Sequence, residues 1–306
     1  MVHPPEDPEI YRNILDSLDL GVYLVDPERR ITFWNTGAER ISGYLRAETL
    51  GQPCHENMLV HCCENGELQC ETHCPLRQTL EDGKSRQPIL YLRHKKGHRV
   101  PVHVKTAVMR NSAGLIVGAA EFFGDQFLAE TAADGQSGFA SLEAAGTRSR
   151  EHLEACLTRN LEAFVHGGQK FGILLLHVDQ WHDLRVTRGK EAADAAVRVV
   201  AETLHYSLHP ADVFGRWNDG DFLVIVRDGS HRALELDADL LRNLAKNAQF
   251  RWWGDRVPIT ISAGGALVRS ADTEDLMRRR AGAVLARCVE LGGDRVAIAE
   301  EETLCS

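Results

Sequence analysis

Two stretches of the chain hold residues whose types and spacing could do chemistry. In the first, Cys54, Cys62, Cys63, Cys70 and Cys74 crowd into one short segment with His61, whereas Cys156, Cys288 and Cys305 are scattered. In a reducing compartment such a cluster reads as a metal or redox site before it reads as disulfides. Soft thiolates with one imidazole suit Zn²⁺, and an all-thiolate set suits an iron–sulfur cluster. Cys54, His61, Cys70 and Cys74 form a four-ligand set, with Cys62 or Cys63 able to replace His61. The spacing is that of no standard finger, and the competing reading is that buried cysteines serve as small apolar side chains.

The second stretch is Val213 to Val226, two strands folded about Asn218-Asp219-Gly220. Asp-Gly tolerates the positive φ angles of a two-residue hairpin, which predicts a tight turn there. Acidic side chains beside a glycine at a hairpin tip can hold a divalent cation and a nucleotide phosphate, or they can be only a turn. Phe222 to Val226 is a continuous apolar run, as in a strand covered on both faces.

The elements that must position these residues follow from periodicity. Apolar residues at Ile10, Ile14, Leu15 and Leu18 make one helical face, and Leu20–Asp26 and Arg30–Asn35 read as strands. Asn35-Thr36 caps a short helix through Ala38 to Ile41. Beyond the cysteines, Gln87–Leu92, Val100–Met109 and Leu115–Phe123 read as three more strands, so the first half is an antiparallel sheet with flanking helices. Gln126 to Gly146, rich in Ala, Gly, Ser and acidic residues, has little to bury and reads as a linker. Beyond it, helices at Ser149–Val165, within Thr187–His209, at Arg232–Asn247 and at Glu274–Leu291 alternate with strands at Lys170–Val178, Val257–Ala263 and Arg295–Ala299. That alternation indicates an α/β layer.

The 306 residues allow about two domains. A hydrophobic fraction of 43% and a charged fraction of 26% are those of a soluble globular protein. A net charge of -9 argues against nucleic acid held on a general basic surface, although a small anion can be held locally. Arg278-Arg279-Arg280, the densest positive run, reads as a solvated helix face. There is no apolar run of the roughly 20 residues a bilayer span needs and no signal-like start, so no membrane contact and a cytoplasmic location are expected.

The words of the first half resemble a PAS sensor domain: Gly21-Val22-Tyr23-Leu24-Val25-Asp26, Ile31-Thr32-Phe33-Trp34-Asn35, Ala38-Glu39-Arg40-Ile41-Ser42-Gly43-Tyr44, and later His94-Lys95-Lys96-Gly97-His98-Arg99-Val100-Pro101-Val102 and Glu121-Phe122-Phe123-Gly124-Asp125. The second half is similar to the GGDEF domain of diguanylate cyclases. Its frame is present in Leu174-Leu175-Leu176-His177-Val178-Asp179, Gly189, Asp194, Gly215-Arg216-Trp217, Phe222, Ile259-Thr260-Ile261-Ser262-Ala263-Gly264 and Gly293-Asp294-Arg295-Val296. Together these resemblances imply an α+β and α/β two-domain chain. A tail at 1–9 precedes a PAS sensor domain at 10–126, a linker at 127–148, a GGDEF (nucleotidyl-cyclase-like) domain at 149–300 and a tail at 301–306.

The GGDEF resemblance implies a homodimer joining two GTP molecules into cyclic di-GMP, with Mg²⁺ held by carboxylates at two chain positions. Those positions are here His177 and, with Phe222 aligned to the motif phenylalanine, Gly220; the degenerate motif reads Asn218, Asp219, Gly220, Asp221, Phe222. The base-recognition position is Arg185, with its partner kept as Asp194; Arg216 is the third candidate nucleotide contact. His182 and Val289 stand where cationic phosphate contacts are implied, and His209-Pro210-Ala211-Asp212 lacks the arginine of the product-inhibition motif. His177, Asp179 and Asp221 could form a relict cation site, and polar positions in a disused pocket are the plainer reading. The expectation is a signalling protein of bacterial type whose second domain has lost cyclase activity and binds GTP, cyclic di-GMP or a protein partner. One alternative is an active diguanylate cyclase. Another is a metal or redox sensor whose second domain serves dimerisation or partner binding.

Overall fold

In the computed structural model the chain divides into two compact units, Met1–Phe139 and Ala140–Ser306. The structure describes residues 7–56, 58–124, 148–209, 211–227 and 229–300. Nearly all of the linker expected at 127–148, and the tail at 301–306, lie outside the described residues.

The first unit begins with α1 (Pro8–Asp16), where Pro8 takes the first helical position and the Asp7 side chain accepts from the Glu9 amide. Then come β1 (Gly21–Val25), β2 (Ile31–Trp34), α2 (Thr36–Ser42), α3 (Arg46–Thr49), α4 (Gln69–Thr72) and α5 (Pro75–Asp82). Three strands close the unit: β3 (Ile89–Arg93), β4 (Arg99–Arg110) and β5 (Ile116–Gly124). The sheet order is β2-β1-β5-β4-β3, antiparallel throughout. Asn35 does more than cap α2. Its side-chain oxygen accepts from the amides of Val22 (2.8 Å) and Ala38 (2.7 Å), and its amide nitrogen donates to the carbonyls of Leu15 (2.7 Å) and Leu20 (2.9 Å). One fully buried side chain thereby ties α1, β1 and α2 together. Tyr23, Trp34 and Phe123 pack beside it with ring centroids 5.5 to 6.3 Å apart.

The second unit contains α6 (Arg150–Gly167), β6 (Gly172–Val178), α7 (Trp181–Arg188), α8 (Lys190–Ser207), β7 (Val213–Arg216), β8 (Asp221–Val226) and α9 (His231–Asn247). It ends with β9 (Phe250–Trp252), β10 (Asp255–Val257), β11 (Ile261–Leu267), α10 (Glu274–Glu290) and β12 (Val296–Ile298). Its sheet runs β12-β11-β6-β8-β7. Leu174, Leu176, Val178, Phe222, Val224 and Val226 face a core shared with α8 and α9, while Ile173, Leu175, Leu223 and Ile225 face α6 and α10. Period-two alternation with both faces apolar is what made β6 and β8 read as unbroken hydrophobic runs.

The helix expected within Thr187–His209 is α8, with Gly189, at φ 87°, separating it from α7. Two local expectations are corrected. The strand expected at Val257–Ala263 is two elements: β10 belongs to a hairpin with β9, turning at Trp253 and Gly254 with positive φ, and β11 starts at Ile261. The turn between β7 and β8 is tight, Asn218 and Asp221 exchanging backbone hydrogen bonds (3.3 and 3.4 Å) about Asp219 and Gly220, but neither of those residues takes the expected positive φ.

Candidate functional site

In the second unit, β6 and β8 pair so that His177 lies directly opposite Asp221. The His177 Nδ1 and Asp221 Oδ1 atoms are 2.6 Å apart, and the other carboxylate oxygen accepts from Asn218 Nδ2 at 3.1 Å. The hydrogen bond to Asp221 raises the pKa of His177 against the opposing effect of burial. Burial acts to raise that of Asp221, but the bonds from His177 and Asn218 outweigh it and hold the carboxyl below its usual range. Both oxygens of the carboxylate closest to the expected cation position therefore already have protein partners.

Gly220 is closed from the other side. A Cβ added there would stand 2.9 Å from Cγ of Trp181, the first residue of α7. The expected turn glycine is thus a glycine because an indole lies against it. A carboxylate side chain at this position has no room without moving that ring.

Asp179 is kept apart from the His177–Asp221 pair by its own contacts. It accepts from Thr260 Oγ1 (2.6 Å), Ser262 Oγ (2.7 Å) and the Asp294 amide (2.8 Å), clamping the end of β6 to β11 and to the turn before β12. The three residues of the expected relict cation site are thus a pair and a separate structural clamp. Arg216 closes the hairpin loop, its guanidinium donating to the carbonyls of Asn218 (3.1 Å) and Asp219 (2.5 Å), and stands 3.9 Å from Asp194. Arg185 lies 3.4 Å from Asp219 and over the Trp181 ring at 5.2 Å. Arg185 and Arg216 thus both contact Asp219, which lines a cleft with His177, Trp181, Asn218, Gly220 and Asp221, and Asp194 is linked to it through Arg216.

In the first unit the cysteine stretch folds back over the sheet. Cys54, Cys70, Cys74 and His61 are all buried, and so is Glu121, opposite Tyr23 in the β1–β5 register. The His61 amide donates to Cys70 Sγ at 3.2 Å, His61 Nδ1 lies 3.9 Å from the same sulfur, and His61 Nε2 lies 3.6 Å from Glu121 Oε1. Burial pushes the Cys70 thiol up to about 12, with the charge of Cys74 adding to it, and raises Cys54 with help from Glu121, Cys74 and Cys70. Burial likewise raises Glu121 to about 8, against the hydrogen bond from Tyr23, and lowers His61 to about 3, assisted by Arg99. Among the described residues, no three His, Cys, Asp or Glu side chains stand close enough, as placed, to hold a metal ion.

The two alternates are drawn elsewhere. Cys62 exchanges backbone hydrogen bonds with Tyr91 (3.0 and 2.8 Å), and half-buried Cys63 contacts Asn65 Oδ1 (2.6 Å) and Gln69 Nε2 (3.2 Å) through its sulfur. Sequence reasoning singled out neither Glu121 nor Trp181. A glutamate inside the apolar strand Gly118–Phe123 was a visible signal; the placement of Trp181 against Gly220 had none.

Residues 9–125 match the family model of the PAS fold, and residues 144–290 match that of the GGDEF domain, diguanylate cyclase. The chain is a PAS domain followed by a GGDEF domain, a signalling protein related to diguanylate cyclases. It is 23% identical over 255 residues to the probable diguanylate cyclase DgcE of Escherichia coli K12, covering 83% of this chain and 23% of that protein's length. Among solved structures, the GGDEF domain of DgcB from Caulobacter crescentus in complex with c-di-GMP aligns with 51% of this chain and 97% of its own, at 21% identity and a TM-score of 0.48. The PAS domain of a protein from Colwellia psychrerythraea aligns with 38% of this chain and 93% of its own, at 19% identity and a TM-score of 0.33. Among the described residues no helix is long and apolar enough to cross a membrane.

Proposed function

We propose that the PAS domain is the input of this protein and that its GGDEF domain has lost diguanylate cyclase activity, serving as a signal-dependent binding module. One observation carries the reading. Of the two positions where cyclisation needs metal-binding carboxylates, one is His177, paired with Asp221 at 2.6 Å, and the other is Gly220, covered by Trp181. A divalent cation that lowers the pKa of a 3′-hydroxyl and bridges a triphosphate needs free oxygen ligands. Here the nearest carboxylate is already hydrogen-bonded to an imidazole and to Asn218. The chain acts as a homodimer in the cytoplasm, and the ligand of the second domain is GTP, cyclic di-GMP or a protein partner.

The test is incubation of the purified full chain with GTP and Mg²⁺ or Mn²⁺, followed by chromatography of the nucleotides. No cyclic di-GMP above background is expected. Its formation would overturn the proposal, and equilibrium binding of GTP and cyclic di-GMP in the same preparation identifies what the module holds.

A further inference from the structure

Buried polar atoms without hydrogen-bond partners in the PAS unit include three near the cysteines: His61 Nε2, on the ring beside Cys70, and Glu121 Oε1 and Arg29 Nη1, whose charges act on Cys54 and Cys70. An unpaired buried polar group costs about 1–3 kcal/mol, more if charged, so three together require an explanation. The backbone carbonyl of Arg29 accepts from the Cys54 amide at 3.1 Å, so the arginine is anchored at the cysteines.

The two ring nitrogens of His61 are turned in different directions. Nδ1 is 3.9 Å from Cys70 Sγ, and Nε2 is 3.6 Å from Glu121 Oε1. Tetrahedral zinc, with bonds of about 2.3 Å to sulfur and about 2.0–2.1 Å to nitrogen, holds adjacent S and N ligands roughly 3.5–4 Å apart. A metal-ligating histidine also characteristically directs its second nitrogen to a carboxylate that fixes the ring. The backbone amide of His61, directed at Cys70 Sγ from 3.2 Å, is a donor suited to a thiolate.

We propose that Cys54, Cys70, Cys74 and His61, the last through Nδ1, bind one Zn²⁺ inside the PAS domain, with Glu121 orienting the imidazole and Arg29 balancing the thiolate charge. As placed, no three of these side chains stand close enough to hold the ion, so binding requires the thiols of buried Cys54 and Cys74 to rotate toward Cys70 and His61. The bound site gives Glu121 Oε1 a donor in His61 Nε2–H and gives Arg29 Nη1 an anionic neighbour. Cys62 and Cys63 take no part, because backbone pairing with Tyr91 and contacts with Asn65 and Gln69 hold them elsewhere. The proposal is independent of whether the second domain cyclises GTP.

Metal content of the full chain, purified under reducing conditions without added metal, tests it. About one zinc per chain is expected, and Co²⁺ replacing it should give thiolate-to-cobalt charge-transfer absorption and intense tetrahedral bands. Cys70→Ser should retain less than a tenth of the zinc, whereas Cys63→Ser should retain all of it. Glu121→Gln should keep the stoichiometry but bind about 10–100-fold more weakly in chelator competition, as expected for an orienting carboxylate. If Cys70→Ser does not fold by circular dichroism, the cobalt spectrum of the unmodified chain and the zinc content of Cys63→Ser decide the matter. A folded chain with neither zinc nor a cobalt–thiolate spectrum overturns the proposal. So does loss of zinc in Cys63→Ser, or iron–sulfur absorption in protein purified without oxygen.

Discussion

The hairpin tip of the GGDEF domain and the cysteine face of the PAS domain differ in how their polar groups are satisfied. At the tip the polar side chains are bound to protein: Asp221 is held by His177 and Asn218, Gly220 is capped by an indole, and Arg216 stitches the loop to itself. In the PAS core, buried ionisable side chains have been gathered with some of their polar atoms unpaired, His61 Nε2 and Glu121 Oε1 facing each other at 3.6 Å. At the tip the buried Trp181 Nε1 lacks a partner while the carboxylate of Asp221 has two, whereas in the PAS core the unpaired atoms belong to ionisable groups.

This contrast can be broken, or sharpened, by experiment. The largest effect belongs to the frame itself. Phe222 is fully buried between β6 and Phe214, so Phe222→Ala should destabilise the GGDEF unit by about 3–5 kcal/mol in urea unfolding followed by Trp217 or Trp252 fluorescence. A loss below about 1 kcal/mol would show that the frame does not depend on this strand. Restoring both expected carboxylates, with His177→Asp and Gly220→Glu together, should not restore cyclic di-GMP synthesis and should cost about 1–3 kcal/mol through collision with Trp181. Product formed by that variant would mean that the closure is shallow and the tip is one step from activity.

A smaller effect follows from the His177–Asp221 pair. The raised pKa of His177 gives stability that is full below its unfolded value of about 6.5 and is lost as pH rises through the folded value. The lowered pKa of Asp221 gives stability present above about 3.8 and lost as pH falls through its folded value. The pair should therefore contribute most between about pH 4 and 6.5, and His177→Gln should remove about 1–3 kcal/mol in that window. A variant with an unchanged pH profile of stability would show that the 2.6 Å contact carries no ionic character. The smallest change is expected at Arg185, whose ion pair with Asp219 is exposed. Arg185→Ala should alter stability by no more than about 1 kcal/mol, and a larger loss would reveal that its stacking on Trp181 holds the cap over Gly220.

Much of this was legible in the residues. The Asn35 cap, the alternation along β6 and β8, and the words of both domains follow from local propensity and from period-two burial, which depend on neighbours in the chain. That His177 and Gly220 carry no carboxylate, where the GGDEF resemblance implies one, was equally legible, because a side chain's chemistry is carried by its identity. What the sequence could not determine was the company each residue keeps. Asp179 clamps β11 and the turn before β12 rather than joining His177, because Thr260 and Ser262, distant in the chain, reach it first. Trp181 lies against Gly220 because α7 starts where β6 ends, beside the tip of the neighbouring hairpin. Glu121 enters the cysteine face only through the pairing of β5 with β1, which no spacing along the chain encodes. Residue type and periodicity set what each segment could be; contacts between segments far apart in the chain, formed only on folding, decided which polar groups are satisfied and which remain open.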